Sequence, residues 1–257
     1  MGLGIKNNLL AVNLTRNLNQ TFLNLGKSME KLSSGLKINS AADDPAGLVI
    51  SEQMRTRIAS LNQEIENVSY QISKYKTADS ALLQERSKLT ELRSLAVAAA
   101  NEGGIDDAAR TAYQSEADNI VDSFNMIRES SEFGTQKLLD GSESSVADVN
   151  ELISIDLSDT EAAEASMNQI DDEIAHLDAQ IADVGATQKN ELESRVRNLR
   201  IESQNLVAAE SQIRDVDYMA EITNFVKNQM LLKSNLSLFA HTAVSSSSVL
   251  SLLSGTK

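Results

Sequence analysis

The sequence predicts an all-α chain, an elongated antiparallel helical coiled-coil bundle with a short hairpin or strand segment. Three observations carry that expectation. Apolar residues recur in a 4,3 alternation over most of the chain, the spacing that keeps one stripe of a helix against a partner. One Pro and 11 Gly are too few turn formers for a many-stranded sheet. Nine aromatics in 257 residues, none of them Trp, cannot fill a compact core of that size, so Leu, Ile, Val and Ala must supply the apolar contacts.

Taken in order, the first seam is Leu18, Phe22, Leu25, Met29, Leu32, Leu36. It is one-sided and must bury its stripe against something else. Ala41-Ala42-Asp43-Asp44-Pro45 then puts a carboxylate at an N-cap and the proline at the first helical position, where its missing N–H costs nothing. From Met54 the second seam runs Ile58, Leu61, Ile65, Val68, Ile72, Tyr75, slips phase to Ala78, and continues through Leu82, Leu89 and Leu92. Such a slip overwinds a coiled coil without ending it. This helix is expected from about residue 45 to about 101, roughly 85 Å long, until Asn101 to Asp107, with Gly103-Gly104, breaks it. Tyr113, Ala117, Ile120, Phe124 and Ile127 mark a shorter helix.

Residues 133–160 are the expected hairpin or loop: Phe133-Gly134 and Asp140-Gly141 are turn signals, and Leu152, Ile153, Ile155 and Leu157 suit a short strand. Ser158 with Glu161 reads as a capping box. It opens a helix with the seam Ile170, Ile174, Leu177, Ile181, Val184, then Leu192, Val196, Leu199, Leu206, Ile213. The last seam is Tyr218, Ile222, Phe225, Gln229, Leu232, Leu236, Phe239, Ala243, Ser246, Leu250, Leu253, polar only at Gln229 and Ser246.

Charge divides the chain in the same way. Thirty-seven acids against 23 bases leave −14 overall. Residues 1–44 and 213–257 together carry +3, which leaves −17 on the middle. Near-neutral ends suit a shared buried environment, and the acidic middle suits water. The expected division is therefore 1–44 plus 213–257, terminal helices that share a buried environment, and 45–212, a helical middle that faces water with its loop at 133–160.

Several functions are excluded on the same grounds. The absence of Cys removes disulfide scaffolds and thiolate chemistry. The negative charge argues against nucleic acid. Ser234 to Thr256 is uncharged and long enough to cross a bilayer, but 12 of its 23 residues are polar, so no membrane insertion is expected. Met1 to Val12 has Lys6, Asn7 and Asn8 where a secretory leader needs an apolar run, and the start lacks a myristoylation pattern. His176 and His241 have no metal-ligand spacing, and the many carboxylates read as solvated helix faces. No catalytic residue, metal or cofactor is expected.

Lys31-Leu32-Ser33-Ser34-Gly35-Leu36-Lys37-Ile38-Asn39-Ser40-Ala41-Ala42-Asp43-Asp44-Pro45-Ala46-Gly47-Leu48 closely resembles the N-terminal signature of bacterial flagellins. Ile213-Arg214-Asp215-Val216-Asp217-Tyr218-Met219-Ala220-Glu221, with Lys227-Asn228-Gln229 and Val249-Leu250-Ser251-Leu252-Leu253, resembles the matching C-terminus. Leu95 to Asn101 and Phe133 to Gly141 fit as well, so the likeness covers about 1–141 and 165–253. Two departures stand out: Phe133-Gly134 is shorter than the family's Phe-Asn-Gly, and Ser245 to Ser248 replace a Gln-rich approach to the C-terminus.

The resemblance implies the structural subunit of the bacterial flagellar filament, a homopolymer whose paired termini line the core. Only residues 142–160 remain where the family inserts variable outer domains, so a short form without them is expected. A hook–filament junction protein is the alternative, against which stand the runs at 32–36 and 249–253. The likeness further implies secretion through the flagellum's own export apparatus without a cleaved signal peptide, a dedicated export chaperone, and contact with hook-associated and cap proteins. It also implies an encounter with the Toll-like flagellin receptor of animal hosts through Leu89, Glu91, Arg93, Leu95 and Glu116. Glu91 and Ser94 depart from the family's Arg and Glu in that segment, so weak recognition is expected.

The polymerisation seam is taken to be Leu18, Phe22, Leu25, Met29, Leu32 and Leu36 with Ile222, Phe225, Leu232, Leu236, Phe239, Leu250 and Leu253.

Overall fold

The computed structural model describes residues 9–101, 106–142, 145–152 and 154–255, and the side chains of residues 243 and 245–254 lie outside that description. Apart from one two-stranded hairpin the described chain is all-α: α1 (Leu9–Ser34), α2 (Pro45–Ala99), α3 (Asp107–Ser130), β1 (Glu132–Phe133), β2 (Gln136–Lys137), α4 (Thr160–Ala186), a π-helical segment (Thr187–Leu192), α5 (Glu193–Arg214) and α6 (Tyr218–Ser254). Packing divides the chain into two units, residues 1–59 with 204–257, and residues 60–203. This grouping puts the first turns of α2 and the last turns of α5 with the terminal helices, whereas the charge distribution suggests divisions at 44 and 213.

Aspartate caps open three of the helices. Asp44 Oδ1 accepts the backbone N–H of Ala46 at 3.1 Å and of Gly47 at 3.0 Å, so α2 opens with Pro45 at its first position. Asp106 does the same for α3 through Ala109 N at 2.8 Å. For α4 the cap is Asp159, whose carboxylate accepts Ala162 N at 2.7 Å. This corrects the Ser158 capping box: Ser158 lies outside the helix and donates its N–H to Asp156.

In the 60–203 unit, α2, α3 and α4 bury Leu82, Leu89, Leu92, Phe124, Ile170 and Leu177 in one core, joined by Leu138, Leu139 and Leu157 from the intervening loop. The phase slip at Tyr75 to Ala78 is absorbed without a break in the 55-residue α2. A second slip lies between Val184 and Leu192, where the spacing is one residue longer than the seam requires. The π-helical segment falls there, and its wider turns take up the extra residue, so Leu177 and Val184 before it and Leu192, Val196 and Leu199 after it are all buried.

The hairpin pairs Glu132 with Lys137 and Phe133 with Gln136, and Gly134 occupies the turn at φ +68°. The strand expected at 152–157 does not form, and Ile153 lies outside the described residues. Side-chain amides take the place of a partner strand. Gln114 donates Nε2 to Ile155 O and accepts Leu157 N, both at 2.7 Å. Asn125 pairs likewise with Leu152, Nδ2 to O at 2.7 Å and N to Oδ1 at 3.2 Å. Extended backbone buried against α3 is thereby satisfied without a ladder.

Candidate polymerisation surface

Helices α1 and α6 are the principal packing partners in the terminal unit. The residues α1 turns toward α6 are Leu14, Thr21 and Ser28, buried, with Leu18, Leu25 and Leu32 half-buried between them. On α6 the half-buried positions are Glu221, Phe225, Asn228, Leu232, Asn235 and Thr242. Asn235 Nδ2 donates to Thr21 Oγ1 at 3.4 Å, so these two positions face each other across the pair.

The structure therefore splits the seams read from the sequence. Leu18, Leu25, Leu32, Phe225 and Leu232 lie along the α1/α6 contact, and Leu36 lies half-buried just beyond α1. Phe22 and Met29 turn outward, 67% and 57% exposed, and Ile222, Leu236 and Phe239 are exposed too. The intrachain contact uses Thr21 and Ser28 instead of Phe22 and Met29, one position round the helix, because Leu18, Leu25 and Leu32 fit either 4,3 series. For Leu250 and Leu253 the side chains are outside the described residues.

The C-terminal motif is built around the end of α1. Gly35 takes φ +74°, and a Cβ there would meet the Tyr218 hydroxyl at 2.9 Å, so glycine serves both the helix exit and this contact. Lys37 N donates to Arg214 O at 2.6 Å and Val216 N to Gly35 O at 3.0 Å. Arg214 Nη1 reaches Glu52 Oε1 at 2.6 Å, and that bond, helped by Arg55, holds the Glu52 carboxyl below its ordinary range. Asp217 Oδ1 caps α6 through Met219 N and Ala220 N, at 3.0 and 3.1 Å. Arg214, Val216, Asp217 and Tyr218 thus each have a structural task at this junction.

The receptor-region residues separate by depth. Leu89 is wholly buried in the core and offers no contact in the folded unit; Leu95 is half-buried against the same core. Glu91, Arg93 and Glu116 are exposed. Glu91 Oε2 pairs with Lys88 Nζ at 2.8 Å, while Arg93 pairs with Asp171 on α4, Nε to Oδ1 at 2.5 Å and Nη2 to Oδ2 at 3.1 Å.

One residue contradicts the reading of carboxylates as solvated faces. Glu85 sits at 0% exposure on α2, and neither carboxylate oxygen has a hydrogen-bond partner. Burial pushes its carboxyl up to about 8; Arg128 works against that shift and Glu173 adds to it. The signal was a gap: the seam passes from Leu82 to Leu89, and 85 is the position it skips. Among the described residues no group of His, Asp or Glu is arranged to hold a metal ion, and no helix is long and apolar enough to cross a membrane.

Known proteins match both halves of the chain. Residues 5–144 match the bacterial flagellin N-terminal helical region, and residues 167–253 match the C-terminal helical region. A flagellin of Halalkalibacterium halodurans is 36% identical, covering 97% of this chain and 99% of its own. The flagellar filament 33 kDa core protein of Treponema phagedenis is 33% identical and a Bacillus subtilis flagellin 32% identical, with the same coverages. None of these three is a hook–filament junction protein. Matched from end to end by both halves of the family and by relatives of nearly its own length, the chain belongs to the bacterial flagellin family.

Proposed function

We propose that copies of this flagellin join through the outward stripes of α1 and α6, in particular Phe22 and Met29 on one helix and Ile222, Leu236 and Phe239 on the other. As a flagellin the chain is a structural subunit of the flagellar filament and not an enzyme, and it polymerises with itself. The observation that carries the surface is the exposure of large apolar side chains on both terminal helices. Burying one such side chain contributes about 1.5–3 kcal/mol, and a helical polymer repeats that gain at every subunit.

The experiment is Leu236→Asp or Phe239→Asp. A carboxylate forced into an apolar interface costs several kcal/mol, so filaments are expected to vanish in electron micrographs while the 60–203 unit keeps its helical circular dichroism. Filaments of normal length would refute this surface.

The finer partners belong to the same reading. Until assembly, an export chaperone covers the apolar face of α6, and passage through the flagellar export apparatus brings the subunit to the growing tip, where hook-associated and cap proteins meet it. Recognition by the host Toll-like receptor is weak, because Glu91 puts a negative charge where stimulatory flagellins carry arginine.

A further inference from the structure

The 60–203 unit holds a cluster of charged side chains that the filament reading does not use. Glu85 on α2 is wholly buried, with no hydrogen-bond partner for either carboxylate oxygen. The charges acting on it are Arg128 from α3 and Glu173 from α4, and His176 places Nδ1 3.7 Å from Glu173 Oε1. Its charged neighbours on α2 are engaged elsewhere, Arg86 with Asp178 and Lys88 with Glu91. Arg128 has a buried Nε without a partner, while its Nη2 reaches Glu151 Oε2 at 3.3 Å. Glu151 belongs to the segment 145–152, which packs Ala147 and Val149 into the helical core. Val146 N and Ala147 N donate to Leu138 O at 2.8 and 3.1 Å, Val149 N to Leu139 O at 3.2 Å, and Asn150 Nδ2 to Glu173 Oε2 at 3.2 Å. One guanidinium thus holds a surface carboxylate while acting on a buried one.

We propose that Glu85 and Glu151 compete for Arg128: when Glu85 gives up its proton to solvent, the guanidinium turns inward to it and the segment 145–152 is released from the helices. Burial pushes the Glu85 carboxyl up to about 8, so at lower pH the core holds a neutral acid and Arg128 stays with Glu151. Once ionised, Glu85 is an unpaired buried charge beside Glu173, a costly state that a nearby cation relieves. Arg128 is the cation placed to do so. The exchange favours the core because Glu151 is 63% exposed and its pairing is screened by water, whereas the buried carboxylate attracts through a lower dielectric. Leu152 stays tied to Asn125 at both its N–H and its carbonyl, which confines the release to the residues before it. The device lies wholly within the 60–203 unit and is independent of the polymerisation surface.

The test is hydrogen–deuterium exchange of the full-length subunit at pH 6 and pH 9, read as protection factors so that the intrinsic pH dependence of exchange divides out. In the wild type, protection at Val146, Ala147 and Val149 is expected to fall with rising pH by about tenfold more than that of residues 174–181 in α4, the mark of local and not global opening. Glu85→Gln and Glu85→Leu, which cannot ionise there, are expected to keep their pH 6 protection at pH 9. Glu151→Gln, which deprives Arg128 of its surface partner, is expected to show the low protection already at pH 6. No fall in the wild type overturns the proposal, as does a fall shared equally by residues 174–181 or one that persists in the Glu85 variants. Wild-type protection of the Glu151→Gln chain at pH 6 overturns it too, by showing that the Arg128 bond does not hold the segment.

Discussion

Arg93 on α2 and Asp171 on α4 form a two-point ion pair, and one heptad away Arg86 and Asp178 repeat it, Nε to Oδ1 at 2.5 Å and Nη2 to Oδ2 at 3.3 Å. Seven residues forward on α2 correspond to seven backward on α4, so the two clamps share one antiparallel register. The planar guanidinium matches the carboxylate at two points, which adds geometric specificity to charge. Both pairs lie beside the apolar seam and remain about half exposed.

Exposure limits what each clamp contributes. Arg93→Ala is expected to destabilise the 60–203 unit only slightly, since water screens the exposed pair, and to have no further effect once Asp171→Ala is present, in a double-mutant cycle read by urea denaturation. The pH dependence has a definite sign. The guanidinium bonds hold Asp171 and Asp178 below the ordinary carboxylate range, so their contribution is present above a pH of about 4 and is lost as pH falls through the lower folded values. Acid unfolding should begin at higher pH in Arg86→Ala, Arg93→Ala than in the wild type.

Glu85 works in the opposite direction. Its folded carboxyl lies near 8 against 4.5 unfolded, so stability is full below 4.5, declines as pH rises through that window, and levels off past 8. The span corresponds to about 4–5 kcal/mol. Glu85→Gln removes the dependence and Glu85→Leu also fills the site with apolar volume. Thermal melts between pH 5 and 9 should show a falling Tm for the wild type and a flatter line for both variants. An unchanged slope in Glu85→Gln would place the titrating group elsewhere.

Gln114 replaces a strand partner, and that substitution is measurable. Gln114→Leu leaves the Ile155 carbonyl and the Leu157 N–H without the bonds they make at 2.7 Å. The cost is about 1–3 kcal/mol for the orphaned backbone groups. Hydrogen exchange at Leu157 should accelerate at least tenfold, while amides in the middle of α4 exchange as before apart from the global shift. Retained protection at Leu157 would show that the core around its side chain, not the amide, holds this segment.

Glu91 bears on receptor recognition. Glu91→Arg is expected to raise receptor activation in a reporter-cell assay, by ~30-fold if the reversed charge costs about 2 kcal/mol at the interface. Lys88→Ala, which frees Glu91 from its 2.8 Å partner, should give no gain, since the negative charge remains. Wild-type activity already equal to that of a strongly stimulatory flagellin would sink the idea.

The helical class and most element limits were legible in the chain because 3.6-residue periodicity, the Asp44-Pro45 start and the glycine at position 35 are local devices. Even the departures left marks: the extra residue between Val184 and Leu192 becomes a π-helical segment, and the seam gap at 85 becomes a buried carboxylate. The terminal motifs sufficed for the family, and several of their residues serve the junction at Gly35 and Tyr218 or a cap beside it. Periodicity alone could not decide which of two overlapping stripes on α1 faces its own chain, because Leu18, Leu25 and Leu32 belong to both. Only packing against α6 chose Thr21 and Ser28 over Phe22 and Met29. The same holds for the segment held by Gln114: its backbone pairing depends on a side chain some 40 positions away, and a repeat of three or four residues carries no information about it.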